Sequence, residues 1–104
     1  MFRNEYAIAQ FVNEEIDSPT IIGAQAANEL LDINGIKASF VLTVYHDKIY
    51  ISARSIDKIN VQLIMEKLGG GGHSTMAAAQ IKAGDIDEVK NILVDSINEY
   101  LNNK

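Results

Sequence analysis

Hydrophobic residues recur along this chain in two periods, and the switches between them mark its elements. Tyr6 to Val12, YAIAQFV, is apolar and roughly alternating, which predicts a strand. NEEIDSPT then punctuates the chain. Ser18 followed by Pro19 predicts a helix entry, with the serine as cap and the proline at the first helical position, where its missing N–H does no harm. The helix is expected to run to about Ile33 and to stop at Asn34-Gly35. Its small residues, Gly23, Ala24, Ala26 and Ala27, predict close packing against another backbone.

Lys37 to Tyr45 is rich in β-branched and aromatic residues, and Lys48 to Arg54, KIYISAR, alternates. With only His46 and Asp47 between them they predict a β-hairpin. The alternation places Ile49, Ile51 and Ala53 on one face and Tyr50, Ser52 and Arg54 on the other. Asn60 is a cap for a helix VQLIMEKL, with Val61, Ile64, Met65 and Leu68 at helical spacing. After the glycines at 69–72, Ser74 predicts a short helical turn through TMAAA, followed by a short strand from about Ala79 to Lys82. AGD reads as a turn, and Asp85 with Glu88 resembles a capping box. A last helix to about Asn102 carries the stripe Ile86, Val89, Leu93, Ile97, Tyr100 and Leu101. The order β-α-β-β-α-(α)-β-α predicts an α/β fold, a mixed β-sheet packed with helices, forming one domain over residues 1–104.

Composition narrows the function. Hydrophobic residues make up 47% and charged residues 22%, a globular balance. No apolar run approaches the ~20 residues of a membrane span, and the start MFRNEYAIAQ lacks the plan of a signal peptide. There are no cysteines, so disulfides and thiolate metal sites are excluded. The net charge of −5 argues against coating a long polyanion, while leaving room for one local phosphate site.

The candidate chemistry concentrates in LGGGGHSTMAAAQ, Leu68 to Gln80. Each glycine costs roughly 0.5–1 kcal/mol relative to alanine, so four in a row call for a reason. Glycines let backbone N–H groups gather in one concavity and let a ligand approach closely. The helical turn expected after them would add free N–H groups, making an anion site from Gly69, Gly70, Gly71 and Gly72. His73 at the junction can donate to a phosphate oxygen, and Ser74 and Thr75 add hydroxyls. The alternative is a flexible turn with a capping histidine. No Lys-Ser/Thr follows, so this is not a Walker A loop, and the glycines do not follow a strand as in the dinucleotide fingerprint. Arg54, one of only two arginines, is the second candidate; its residue type fits a phosphate fork or a solvated surface position equally. His46-Asp47 is better explained by the hairpin turn. Glu14, Glu15 and Asp17 are spread over a loop, and no carboxylate dyad, nucleophile–base pair or metal-ligand cluster stands out. The residues describe a binding domain with no complete active site: neither catalytic nor metal-ligating residues are expected in it.

ISARS followed by INVQLIMEKLGGGGHSTMAAAQI resembles the DHH-associated domain of the first subtype, the C-terminal half of DHH-type phosphoesterases. SARS, MEKLGGGGH and the alanines, together with AQAANELLDINGIKASFVL, look most like the cyclic-di-AMP phosphodiesterases of the GdpP/YybT type. The resemblance runs from about Tyr6 to Leu101 and implies a substrate-binding domain that is a piece of a longer protein. By similarity the loop Gly69 to Gly72 would cradle a phosphate, His73 would hydrogen-bond to it, and Arg54 with Ser52 or Ser55 would hold another part of the nucleotide. Ala79 stands where family members often have a glycine. Hydrolysis would belong to an upstream catalytic domain holding two manganese ions, so no cofactor is expected in this chain. The implied partners are a cyclic dinucleotide or a short oligonucleotide and the cognate catalytic domain; a second copy of the chain is a further candidate. The domain is expected to be cytoplasmic without membrane contact, although full-length relatives of this type are anchored to a membrane. Two alternatives stay open: a module gripping single-stranded nucleic-acid ends, as in RecJ or nanoRNase members or the C-terminal domain of alanyl-tRNA synthetase, and a structural or dimerising domain.

Overall fold

The computed structural model of the chain describes residues 5–12, 19–56, 58–82 and 85–102, with the side chains of 11, 12, 19 and 20 left aside. The predicted cap Ser18, the acidic residues Glu14, Glu15 and Asp17, and most of the AGD turn lie outside the described residues. The elements are β1 (Tyr6–Val12), α1 (Pro19–Leu31), β2 (Ala38–Tyr45), β3 (Lys48–Ser55), α2 (Val61–Glu66), β4 (Gly71–Gly72), β5 (Met76–Lys82) and α3 (Ile86–Asn102). They form one five-stranded sheet in the order β1-β2-β3-β5-β4. β1 is parallel to β2 across the α1 crossover, and every other pairing is antiparallel.

The predicted α/β fold of a mixed sheet packed with helices holds, with one correction. No helical turn follows the glycines. Met76 to Lys82 is a single strand paired with β3 along its whole length. The alanines carry high helix propensity, but the alternation of the segment decides: Ala77 and Ala79 are buried while Met76, Ala78 and Gln80 are exposed. Pairing with a central strand outweighs the local preference. Gly71 and Gly72 are themselves a short edge strand on β5, and Ser74 with Thr75 form the corner between β4 and β5.

The local signals work elsewhere. α1 ends at Leu31 and continues to Ile33 through i→i+3 bonds before Gly35 turns the chain at φ +93°. Asn60 caps α2, its side chain accepting from the Leu63 N–H at 3.3 Å. Asp85 accepts from the Asp87 N–H at 3.0 Å, so it caps α3 at the second rather than the third position. The hairpin turn holds His46 at φ 56°, its ring edge-on to Tyr45.

The sheet has two unlike faces. On one, Phe40, Leu42, Ile49, Ile51 and Ala53 pack with α2 and α3 to make the main core. All six residues of the α3 stripe join it: Val89, Leu93 and Ile97 fully, Ile86, Tyr100 and Leu101 in part. On the other face α1 lies over β2 and β3, where Ser39 donates to the Ala27 carbonyl at 2.6 Å. The small residues of α1 make this approach: a Cβ on Gly23 would stand 2.8 Å from the Ser52 hydroxyl oxygen. α1 stops short of β5, so on this face β4 and β5 carry no cover.

The glycine segment presses directly on β5. A Cβ on Gly70 would lie 2.0 Å from the Ala78 carbonyl oxygen and 2.7 Å from the Ala79 Cα, both backbone. A Cβ on Gly71 would meet nothing within 4 Å, and its φ is not in the left-handed region. Gly70→Ala is therefore expected to cost about 3 kcal/mol or more, or to prevent folding. Gly71→Ala should leave stability unchanged or raise it by about 0.4–1 kcal/mol through the unfolded chain. Urea midpoints at constant slope check both; equal losses at the two positions would contradict this packing.

Candidate functional site

The uncovered part of the α1 face is a cleft of about 580 Å³. β3 supplies one wall with Tyr50, Ser52 and Arg54, the face that alternation assigns to them. The exposed face of β5 forms the floor, and the segment Gly69 to His73 closes one end. Ala24 of α1 borders the opposite side. Of the predicted site residues, the cleft gathers Ser52, Arg54, Gly69, Gly70, Gly71, Gly72 and His73.

Ser55 is not among them. It lies on the other face, 4% exposed, and its hydroxyl donates to the carbonyls of Ile59 (2.7 Å) and Ser74 (3.1 Å). The Ser55 N–H donates to Thr75 C=O at 3.0 Å and the Val61 N–H to Ser74 C=O at 2.9 Å. Ser55 thus fastens the β4–β5 corner to the end of β3 and the start of α2.

The glycine amides are not all available, because no helix N-terminus follows them. The Gly70 N–H donates to Met65 C=O at 2.9 Å and the Gly69 N–H to Glu66 C=O at 3.1 Å, with Gly69 at φ +86°. These are the paired bonds of a Schellman close to α2. His73 and Met76 exchange both backbone bonds, at 2.6 and 3.3 Å. Such pairs alternate along an antiparallel ladder with pairs that exchange none. The Gly71 N–H therefore turns towards Ala78, and the Gly72 N–H points outward along the free edge. Of the four glycine amides, that of Gly72 is the one this pairing leaves without a backbone acceptor, with the exposed His73 beside it.

Arg54 is the cation of the cleft. Its guanidinium donates through Nη1 to its own neighbour, the Ala53 carbonyl, at 2.8 Å. Its Nε is buried with no partner. Among the described residues no carboxylate pairs with it and none lines the cleft. Burial pushes its pKa below the ordinary arginine value, yet arginine remains charged at any pH where proteins fold. An unpaired buried N–H costs about 1–3 kcal/mol. An oxyanion in the cleft would satisfy it and supply the missing counter-charge. Among the described residues no group of three or more His, Cys, Asp or Glu is placed to hold a metal. The residues that line the cleft fit an anion.

Sequence reasoning did not single out Met76, Ala78 and Gln80, which make the cleft floor. Their signal was the alternation of MAAAQIK, hidden by the helical preference of its alanines. Tyr50 was placed on the right face without a role.

Residues 4–103 match the family model of the DHHA1 domain, and the chain belongs to that family. It is 49% identical over 89 residues to the cyclic-di-AMP phosphodiesterase PdeA of Listeria monocytogenes serotype 1/2a (strain 10403S), covering 85% of this chain and 14% of that protein. It is 39% identical over 102 residues to the cyclic-di-AMP phosphodiesterase GdpP of Bacillus subtilis (strain 168), covering 96% of this chain and 16% of that protein. Its fold matches that of an exopolyphosphatase-related protein from Bacteroides fragilis with a TM-score of 0.72 at 24% identity, over 88% of this chain and 28% of that one. The chain spans 14% and 16% of the length of the two relatives. No helix among the described residues is long and apolar enough to cross a membrane.

Removing the Ser55 hydroxyl takes its bond from the Ile59 carbonyl, while the Ser74 carbonyl keeps the Val61 N–H. Ser55→Ala is expected to cost about 1–3 kcal/mol in urea unfolding and to speed exchange of the amides at position 55 and at Val61, which donate to the corner. Protection at the corner equal to that of the parent chain would contradict its role as a fastener.

Proposed function

We propose that this chain is the substrate-binding domain of a DHH-type phosphodiesterase acting on cyclic-di-AMP, and that its cleft holds a phosphate of the substrate. The observation that carries the reading is Arg54: a guanidinium with no carboxylate partner among the described residues, facing a cleft that no described carboxylate lines, in a chain of net charge −5. In this reading Arg54 re-angles its Nε–H and a free Nη–H onto two phosphate oxygens, the bidentate geometry that suits arginine. The His73 ring takes the phosphate from the loop side, with Gly72 next to it, and Ser52 borders the ligand from β3. The relatives named for cyclic-di-AMP supply the substrate class. Bond cleavage, and the manganese that would activate water for it, belong to another domain of the parent protein. The residues described here bind and orient, and a short oligonucleotide is the competing ligand.

Titration with a linear or cyclic diadenosine nucleotide, followed by backbone amide shifts, should move Gly72 and His73 strongly and Gly69 and Gly70 little. Manganese added to this chain should produce no hydrolysis. Arg54→Ala should weaken binding roughly 10–100-fold, the worth of a charge-assisted hydrogen-bond pair, and Arg54→Lys should fall between. Gly71→Ala, which the fold tolerates, should weaken binding with its unfolding midpoint in place. Amides of the loop that stay still at millimolar ligand while others move would overturn the phosphate site. Tighter binding of an oligonucleotide than of the cyclic dinucleotide would favour the strand-end reading.

A further inference from the structure

On the cleft face β3 and β5 run as two rails. The register pairs Arg54 with Met76 at one end, Ser52 with Ala78 in the middle and Tyr50 with Gln80 at the other end. The phosphate-binding groups occupy the first end and leave the second without a role. Tyr50 and Gln80 both line the cleft there. Among the described residues the Tyr50 ring stacks on no other ring, and neither its hydroxyl nor the Gln80 carboxamide makes a hydrogen bond. Between the two ends Ser52 lies under α1 at Gly23, while Ala78 beside it is exposed and offers only a methyl group, so the open path between the ends runs along the β5 side.

We propose that the Tyr50–Gln80 pair is a base subsite, reading the purine of the nucleotide whose phosphate sits at Arg54. The proposal rests on the phosphate reading above. Arg54 is four residue steps along the strand from Tyr50, about 13 Å at roughly 3.3 Å per residue. One nucleotide bridges that distance from its phosphate to the far edge of its base. A phosphate site alone has no use for an aromatic ring and an amide; a heterocycle uses both. The ring stacks on the π-face of the base. The carboxamide, donor and acceptor together, matches the N6-amino and N7 edge of adenine, whereas guanine offers two acceptors there.

The test is to titrate the unaltered chain with ribose 5-phosphate, AMP and GMP, following backbone amides. All three should move Gly72 and His73. AMP should also move Tyr50 and Gln80, and should bind about tenfold tighter than ribose 5-phosphate and about tenfold tighter than GMP. Tyr50→Ala and Gln80→Leu should each pull AMP towards the ribose 5-phosphate level while leaving the latter's affinity within about twofold, and Tyr50→Phe should keep the AMP advantage. AMP binding no tighter than ribose 5-phosphate, with the loop amides still moving, overturns the base subsite and leaves the phosphate reading intact. AMP and GMP binding equally overturns the assignment of Gln80. Silence at Gly72 and His73 with all three ligands overturns the phosphate reading and this proposal with it. The comparison of ligands on the unaltered chain decides the matter even where Tyr50→Ala fails to fold.

Discussion

Direct contact between the backbone of the glycine segment and β5 governs the rest of this structure. At Gly70 the chain runs so near Ala78 and Ala79 that a Cβ would overlap backbone atoms. That closeness lets α2 end, the chain reverse and a new edge strand start within a few residues. It also requires small partners, which is why alanines stand at the inward positions 77 and 79 of β5. The glycines' conformational cost is offset by what this contact closes: the end of α2, the β4–β5 corner and the end wall of the cleft.

The cleft exists because one face of the sheet is only partly covered. α1 approaches β2 and β3 through Gly23 and Ala27 and ends its reach there. β5, held in the sheet from the other side by α2, is left open above. A strand covered on one face is the natural platform for a ligand, since its alternating side chains are fixed by the pleat and one set of them faces solvent. Arg54 sits at the border between covered and open regions. It is buried enough to lose part of its hydration and exposed enough to meet an anion. No carboxylate among the described residues balances it.

Much of this architecture was legible in the sequence where the signal was local. The β2–β3 hairpin, the Asn60 cap, the stop at Gly35 and the apolar stripe of α3 each follow from neighbours a few residues apart. The face shared by Ser52 and Arg54 follows from the pleat alone. β5 was read in part as helix because its three alanines and Ser74 speak locally for one, and the pairing that overrules them comes from β3, more than twenty residues away. The family resemblance groups Ser55 with Ser52 and Arg54, but adjacent strand residues face opposite ways. Its hydroxyl belongs to the corner and not to the cleft.

The sequence by itself therefore determined the residue types the site uses and the family they belong to. It also set the secondary structure wherever period, cap and turn act within a few residues. Only the tertiary structure decided which of those residues meet. It spent the amides of Gly69 and Gly70 on the end of α2 and turned that of Gly72 outward. It left Arg54 without a counter-ion among the described residues and brought Gln80 opposite Tyr50. The physical reason is that hydrogen-bond partners and register between strands are settled by contacts distant in sequence, which no local pattern records.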